Sequence, residues 1–110
     1  MASFSVSDKG FTLDDNSEQL CIKKVFAVPN RLGLHARTAA RISELSRQFE
    51  SDIECALEGS DDYLDSKSVL DLLMLGATQG QRLEFVFRGD DAQEACAALT
   101  ELFANNLGEE

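Results

Sequence analysis

The chain has one histidine, His35, and its setting makes it the first place to look for chemistry. It stands in Asn30-Arg31-Leu32-Gly33-Leu34-His35-Ala36-Arg37-Thr38, between a glycine-containing loop and the start of an apolar pattern of helical period. A helix start leaves several backbone N–H groups unpaired and carries a partial positive charge. An anion placed there is stabilised without further arrangement. Imidazole is a nucleophile whose ordinary pKa of ~6.5 leaves a neutral fraction near pH 7. A phosphoryl group on the ring would accept N–H bonds from Ala36 or Arg37, with the Arg37 guanidinium as a charge-assisted donor. Gly33 would let the backbone approach closely. These components suit a phosphohistidine; they also describe a plain surface histidine beside a helix cap. Metal ligation has little support, because the chain has no second histidine and no carboxylate or cysteine adjoins His35 in sequence. Nothing resembles a nucleophile elbow with its oxyanion hole.

The elements that must position His35 can be read from periodicity. Leu20 to Val28 is rich in β-formers and ends at the Pro29-Asn30 turn. Ala39, Ile42, Leu45, Ser46 and Phe49 then recur at a helical period. Ile53, Cys55 and Leu57 alternate with Asp52, Glu54 and Ala56, the mark of a strand with one buried face. Gly59 to Asp62 is a turn cluster, and Tyr63-Leu64-Asp65 reads as a short returning strand. A short helix is expected over Val69 to Leu75, capped by Ser68 and Gly76. Arg82 to Arg88 alternates, with Leu83, Phe85 and Phe87 on one face. The last helix starts after Gly89-Asp90-Asp91, carries Ala92, Ala95, Cys96, Leu99, Leu102 and Phe103 on one stripe, and has Gly108 as a stop.

The order is β-α-β-β-α-β-α. Three helices on one face of a four-stranded, mostly antiparallel sheet would cover every apolar face, which is an α+β open-faced β-sandwich. Residues 21–107 form the expected domain, with 108–110 as a C-terminal tail. Residues 1–20 are polar and without sustained periodicity; they read as a flexible arm, or as an extra strand using Phe4/Val6 or Phe11/Leu13.

Composition narrows the partners. With 110 residues, 44% hydrophobic and 27% charged, the chain is expected to be one ordinary globular domain. No run approaches the ~20 apolar residues of a membrane span, and residues 1–20 lack the basic and apolar regions of a signal peptide, so no membrane insertion is expected. Three scattered cysteines, Cys21, Cys55 and Cys96, fit reduced structural thiols in the cytoplasm. The net charge of −10 argues against nucleic acid as a partner. That charge is uneven: residues 19–49 carry +5 and the rest −15. A basic face on an acidic body suits an anionic ligand or an acidic protein.

Gly33-Leu34-His35-Ala36-Arg37, followed by Ala39-Ala40, resembles the active-site motif of the histidine-containing phosphocarrier (HPr) family of the bacterial phosphoenolpyruvate–sugar phosphotransferase system. A GLHAR run arises by chance in a chain this long on the order of once in ten thousand. Ser66-Lys67-Ser68-Val69, then Leu75-Gly76 and Gly80, stand at the family's spacing, and the resemblance covers roughly residues 20–105. It implies that His35 accepts phosphate on Nδ1 from phosphorylated enzyme I and passes it to an enzyme IIA, with no cofactor or metal and no stand-alone enzyme activity. Arg37 matches the active-site arginine; Gly33, Ala36 and Thr38 would stabilise the phosphate. Ser68 matches the regulatory serine that an HPr serine kinase/phosphorylase modifies in many members, and Leu70, Leu73 and Arg41 would form the docking surface. A monomer is expected. The family nearly always has proline where Thr38 stands, so Thr38 would either add a bond to the phosphoryl group or loosen the helix start. That departure, the acidic surroundings of Ser68 and the N-terminal arm keep an alternative open: a regulatory protein whose His35 and Ser68 phosphorylation states control a kinase, a transcription factor or a metabolic enzyme.

Overall fold

The computed structural model describes residues 5–6, 11–13 and 20–109; Phe4 and most of the N-terminal arm lie outside them. Four strands make the body of one antiparallel sheet: β3 (Leu20–Ala27), β4 (Asp52–Leu57), β5 (Leu64–Asp65) and β6 (Arg82–Arg88). Two short strands of the arm, β1 (Ser5–Val6) and β2 (Phe11–Leu13), extend it, so among the described residues the order is β1-β2-β3-β6-β4-β5. The arm supplies both segments that the sequence offers as alternatives. Its Phe11, Thr12 and Leu13 stand opposite Ile22, Cys21 and Leu20.

Helices α1 (Ala36–Ser46), α2 (Val69–Leu75) and α3 (Ala92–Ala104) follow the expected order. The alternation in β6 decides which sheet face they cover. Leu83, Phe85 and Phe87 are fully buried, and β3 and β4 contribute Ile22, Phe26, Ile53 and Cys55 to the same core. Ala39 and Ile42 of α1, Leu72 of α2, and Ala95, Leu99 and Phe103 of α3 close it from the other side. Phe103 stacks on Phe26 with centroids 4.5 Å apart and rings 7° from parallel, pinning α3 to β3. Burying each such side chain contributes roughly 1.5–3 kcal/mol. All three cysteines are free, and burial pushes the Cys55 thiol up to about 12.

Two boundaries differ from the periodicity. Phe49 fits the helical spacing of α1, yet the helix ends at Ser46. The N–H groups of Gln48 and Phe49 bond three residues back, to Leu45 and Ser46, tightening the chain, and Lys67 Nζ caps the Phe49 carbonyl at 2.8 Å. At the other end Gly108 is not the stop of α3. The helix ends at Ala104, and a 3-10 turn (Asn106–Gly108) folds the chain back. Asn106, Leu107 and Gly108 are consecutively left-handed, with φ of 62°, 55° and 77°. Leu107 is nonetheless wholly buried. Glu109 is thereby carried back towards the start of α1.

Candidate functional site

His35 is the N-cap of α1, and its cap is reciprocal. Its extended backbone (φ −133°, ψ −174°) turns Nδ1 onto the helix mouth, where it accepts from the Arg37 N–H at 3.3 Å. Thr38 Oγ1 in turn accepts from the His35 N–H at 3.0 Å. The Thr38 hydroxyl also donates to the Gly33 carbonyl at 3.0 Å and is fully buried. It is therefore committed to the turn. Threonine in place of proline ties the helix start to the turn before it.

Gly33 plays a related part. Its φ is +71°, and a Cβ there would lie 2.6 Å from the Ala77 carbonyl oxygen. The close approach that this glycine permits is to the loop after α2, reinforced by Leu34 N–H donating to that carbonyl at 3.0 Å. The Gly33 N–H itself donates to the Asn30 carbonyl at 3.2 Å. Gly33 and Thr38 shape the turn that presents His35. Ala36 and Arg37 are exposed at the helix mouth, and the His35 ring is 28% exposed, open to a partner's approach.

The sequence places no carboxylate beside His35, but the fold does. Glu109 Oε1 stands 3.3 Å from His35 Nε2. The same carboxylate takes a forked pair of bonds from Arg37, Nε to Oε2 at 2.9 Å and a terminal nitrogen to Oε1 at 3.0 Å. Arg41 adds a bond to Oε2 at 2.7 Å and another to the Leu107 carbonyl at 2.9 Å. The hydrogen bonds of Arg37 and then Arg41 pull the Glu109 carboxyl down to about 2, with that of His35 adding to them against the opposing effect of burial. Arg41 is turned onto the chain's own C-terminal segment. Nothing local in the sequence signals Glu109, which lies 74 residues from His35. The only trace is a carboxylate just after a glycine, at the end of the last helical stripe.

Ser68 is found where the spacing put it, as N-cap of α2, its hydroxyl accepting from the Asp71 N–H at 3.2 Å. Gly76 closes that helix in the left-handed conformation. Leu70 and Leu73 are exposed as expected, and Met74 (73%) and Leu32 (61%) are two further exposed apolar side chains beyond those expected. Among the described residues no group of three or more His, Cys, Asp or Glu side chains could hold a metal ion, and no helix is long and apolar enough to cross a membrane.

Comparison with known proteins gives the same assignment from three sides. The family described as "PTS HPr component phosphorylation site" matches residues 22–105. A phosphocarrier protein HPr of Cupriavidus necator is 39% identical over 80 residues, 73% of this chain and 88% of the relative. A multiphosphoryl transfer protein of Haemophilus influenzae is 35% identical over 98 residues, 88% of this chain, of which the chain spans only 20% of the relative's length. Among solved structures, HPr-C-His of Thermoanaerobacter tengcongensis superposes with a TM-score of 0.73 at 33% identity, covering 80% of this chain and 97% of that one. An HPr of Bacillus anthracis does so with a TM-score of 0.69 at 28% identity, covering 76% and 96%.

Proposed function

The chain belongs to the HPr family of phosphotransferase-system phosphocarriers, and we propose that it carries its phosphoryl group on Nδ1 of His35. One observation supports this reading above the others: Nδ1 faces the mouth of α1, accepting from the Arg37 N–H. A phosphoryl group bonded there would inherit the N–H groups of the first turn and the positive end of the helix dipole. The Arg37 guanidinium, already a two-pronged donor to a carboxylate, is the matching charge-assisted clamp.

The donor is phosphorylated enzyme I and the acceptor an enzyme IIA, in the cytoplasm. The apolar side chains Leu32, Leu70, Leu73 and Met74, with Arg31 and Arg37 on the same basic stretch of sequence, supply a docking surface for them. Ser68 is the regulatory position for an HPr serine kinase. A phosphate there would add up to two negative charges beside Asp71 and next to exposed Leu70, on the surface that partners must cover. The domain occupies residues 21–107, but Glu109 belongs to the site, so the functional unit runs past Gly108.

Incubation with purified enzyme I, Mg²⁺ and phosphoenolpyruvate, followed by intact mass measurement at neutral pH, tests the reading. One acid-labile phosphoryl group is expected on the wild type and none on His35→Ala. An unmodified wild type, beside an HPr from another source that enzyme I does phosphorylate, would end it.

A further inference from the structure

The exposed face of α2 has a polar edge that phosphoryl transfer does not use. Residues three and four apart are neighbours on a helix, so Leu70, Leu73 and Met74 form one stripe, and Asp71 stands at its edge, three residues before Met74. All three apolar side chains of the stripe are exposed, whereas Leu72 on the other side of the helix is wholly buried. The far end of α2 adjoins the phosphoryl site. Leu34, next to His35, donates its N–H at 3.0 Å to the carbonyl of Ala77, which directly follows the Gly76 cap of α2. Seven helical residues span roughly 10 Å. The face therefore runs from Arg37 at the mouth of α1, along the apolar stripe, to a carboxylate in the first turn of α2.

That carboxylate is held in place but not neutralised. The Asp71 N–H donates to Ser68 Oγ at 3.2 Å, and Asp71 Oδ2 accepts from the Asp65 N–H at 3.1 Å. Lys67, the cation nearest in sequence, is turned away, with Nζ on the Phe49 carbonyl at 2.8 Å. Asp65 adds a second carboxylate to the same turn, its Oδ1 accepting from the Lys67 N–H at 2.9 Å. No ion pair among the described residues reaches Asp71. A protein that covers the stripe must also strip water from this carboxylate, which is costly unless the protein brings a cation of its own.

We infer that Asp71 is a specificity residue for docking: the phosphoryl donor, enzyme I, sets a lysine or arginine against it while an apolar surface covers Leu70, Leu73 and Met74. The inference rests on His35 being the phosphoryl acceptor. Enzyme I is the occupant because sugar transport and regulation both require it to load His35. The two ends of the face carry opposite signs, Arg37 at one and Asp71 at the other. A donor must match both, which fixes its orientation over His35 and turns away one whose face is acidic throughout.

The test measures two things on the full chain, each at about 0.01 M and about 1 M salt, where charges reach about 30 Å and 3 Å. Titration calorimetry gives the affinity for unphosphorylated enzyme I of the same source, and steady-state kinetics gives phosphoryl uptake. At low salt Asp71→Lys should weaken binding about 10-fold, with the matching change in the KM of uptake and not in kcat. Asp71→Asn, which keeps an oxygen for the Asp65 N–H, should weaken it about 3-fold. At high salt both should come within about 2-fold of wild type, because the lost attraction is screened. Leu70→Ala, by contrast, should weaken binding equally at both salts. Binding of Asp71→Lys at low salt as tight as wild type, or tighter, would overturn the inference. So would a loss that persists undiminished at high salt, the mark of a damaged helix start. Normal uptake by the wild type together with either result strikes the docking inference alone. The expected binding pattern with no uptake by the wild type strikes the carrier reading and leaves Asp71 as the docking residue.

Discussion

Helices α1 and α2 each begin with a side-chain cap, and their surroundings differ in sign. At α1 the His35 ring accepts from the Arg37 N–H, and two guanidiniums, Arg37 and Arg41, stand close with no acid in the first turn. At α2 the Ser68 hydroxyl accepts from the Asp71 N–H, and Asp71 itself, the first-turn acid, accepts from the Asp65 N–H at 3.1 Å. The lysine between Ser66 and Ser68 is spent on the Phe49 carbonyl. Each helix mouth contributes about half a positive charge. What separates them is the side chains around each mouth: a pair of arginines at one, aspartates at the other. A helix mouth invites an anion, and its neighbours decide whether the invitation stands.

The contrast can be pressed by experiment. The largest effect is expected from His35→Asn, which keeps a competent N-cap while removing the nucleophile. Phosphoryl uptake from enzyme I, read by intact mass, should fall to zero with the fold retained by circular dichroism. Next comes Arg37→Ala, expected to slow transfer about 100-fold, the scale of losing one charge-stabilising donor. Arg37→Lys should recover little of it, since a lysine cannot fork onto two oxygens. The matching change at the other mouth, Ser68→Ala, should cost about 1 kcal/mol of stability in urea unfolding and leave His35 phosphorylation unchanged. If it slowed uptake as Arg37→Ala does, the two mouths would not be the separate sites described here.

The smallest effect concerns the C-terminal turn and the carboxylate that follows it. The Glu109 carboxyl is held at about 2, below its ordinary 4.5. A group depressed in the folded state stabilises above its unfolded pKa and loses that contribution as pH falls through the folded one. Wild type should therefore exceed Glu109→Gln in stability throughout pH 5 to 7. The gap should shrink between about pH 4.5 and 2 and close below it. Urea titrations of both proteins across that range check it.

How much of this was legible depended on distance along the chain. The bounds of α2 and β6 follow from local pattern, because Ser68, Gly76 and the alternation of Leu83, Phe85 and Phe87 are signals contained in the segments themselves. His35 and Arg37 were legible because a helix start and a nucleophile coincide within three residues. Phe49 misled because periodicity reports which face is buried; it does not report where hydrogen bonds shift from four residues back to three. Glu109 was illegible for a stronger reason. Its place depends on two left-handed residues, one of them a leucine, for which sequence preferences give the opposite advice. Thr38 was read as either a further donor to the phosphoryl group or a loosened helix start because its acceptor, the Gly33 carbonyl, is placed by a tertiary contact with Ala77.

The pairing of the N-terminal strands has a consequence for self-association. An outer strand with a free row of N–H and C=O groups is a template on which a second chain can add. Here β2 takes the places opposite Leu20, Cys21 and Ile22, and the next two residues along that edge are Lys23 and Lys24. Their charges would be brought together by a second copy laid alongside. The last strand on that side, β1, pairs through only two residues. That edge therefore offers a second copy of the chain little to extend.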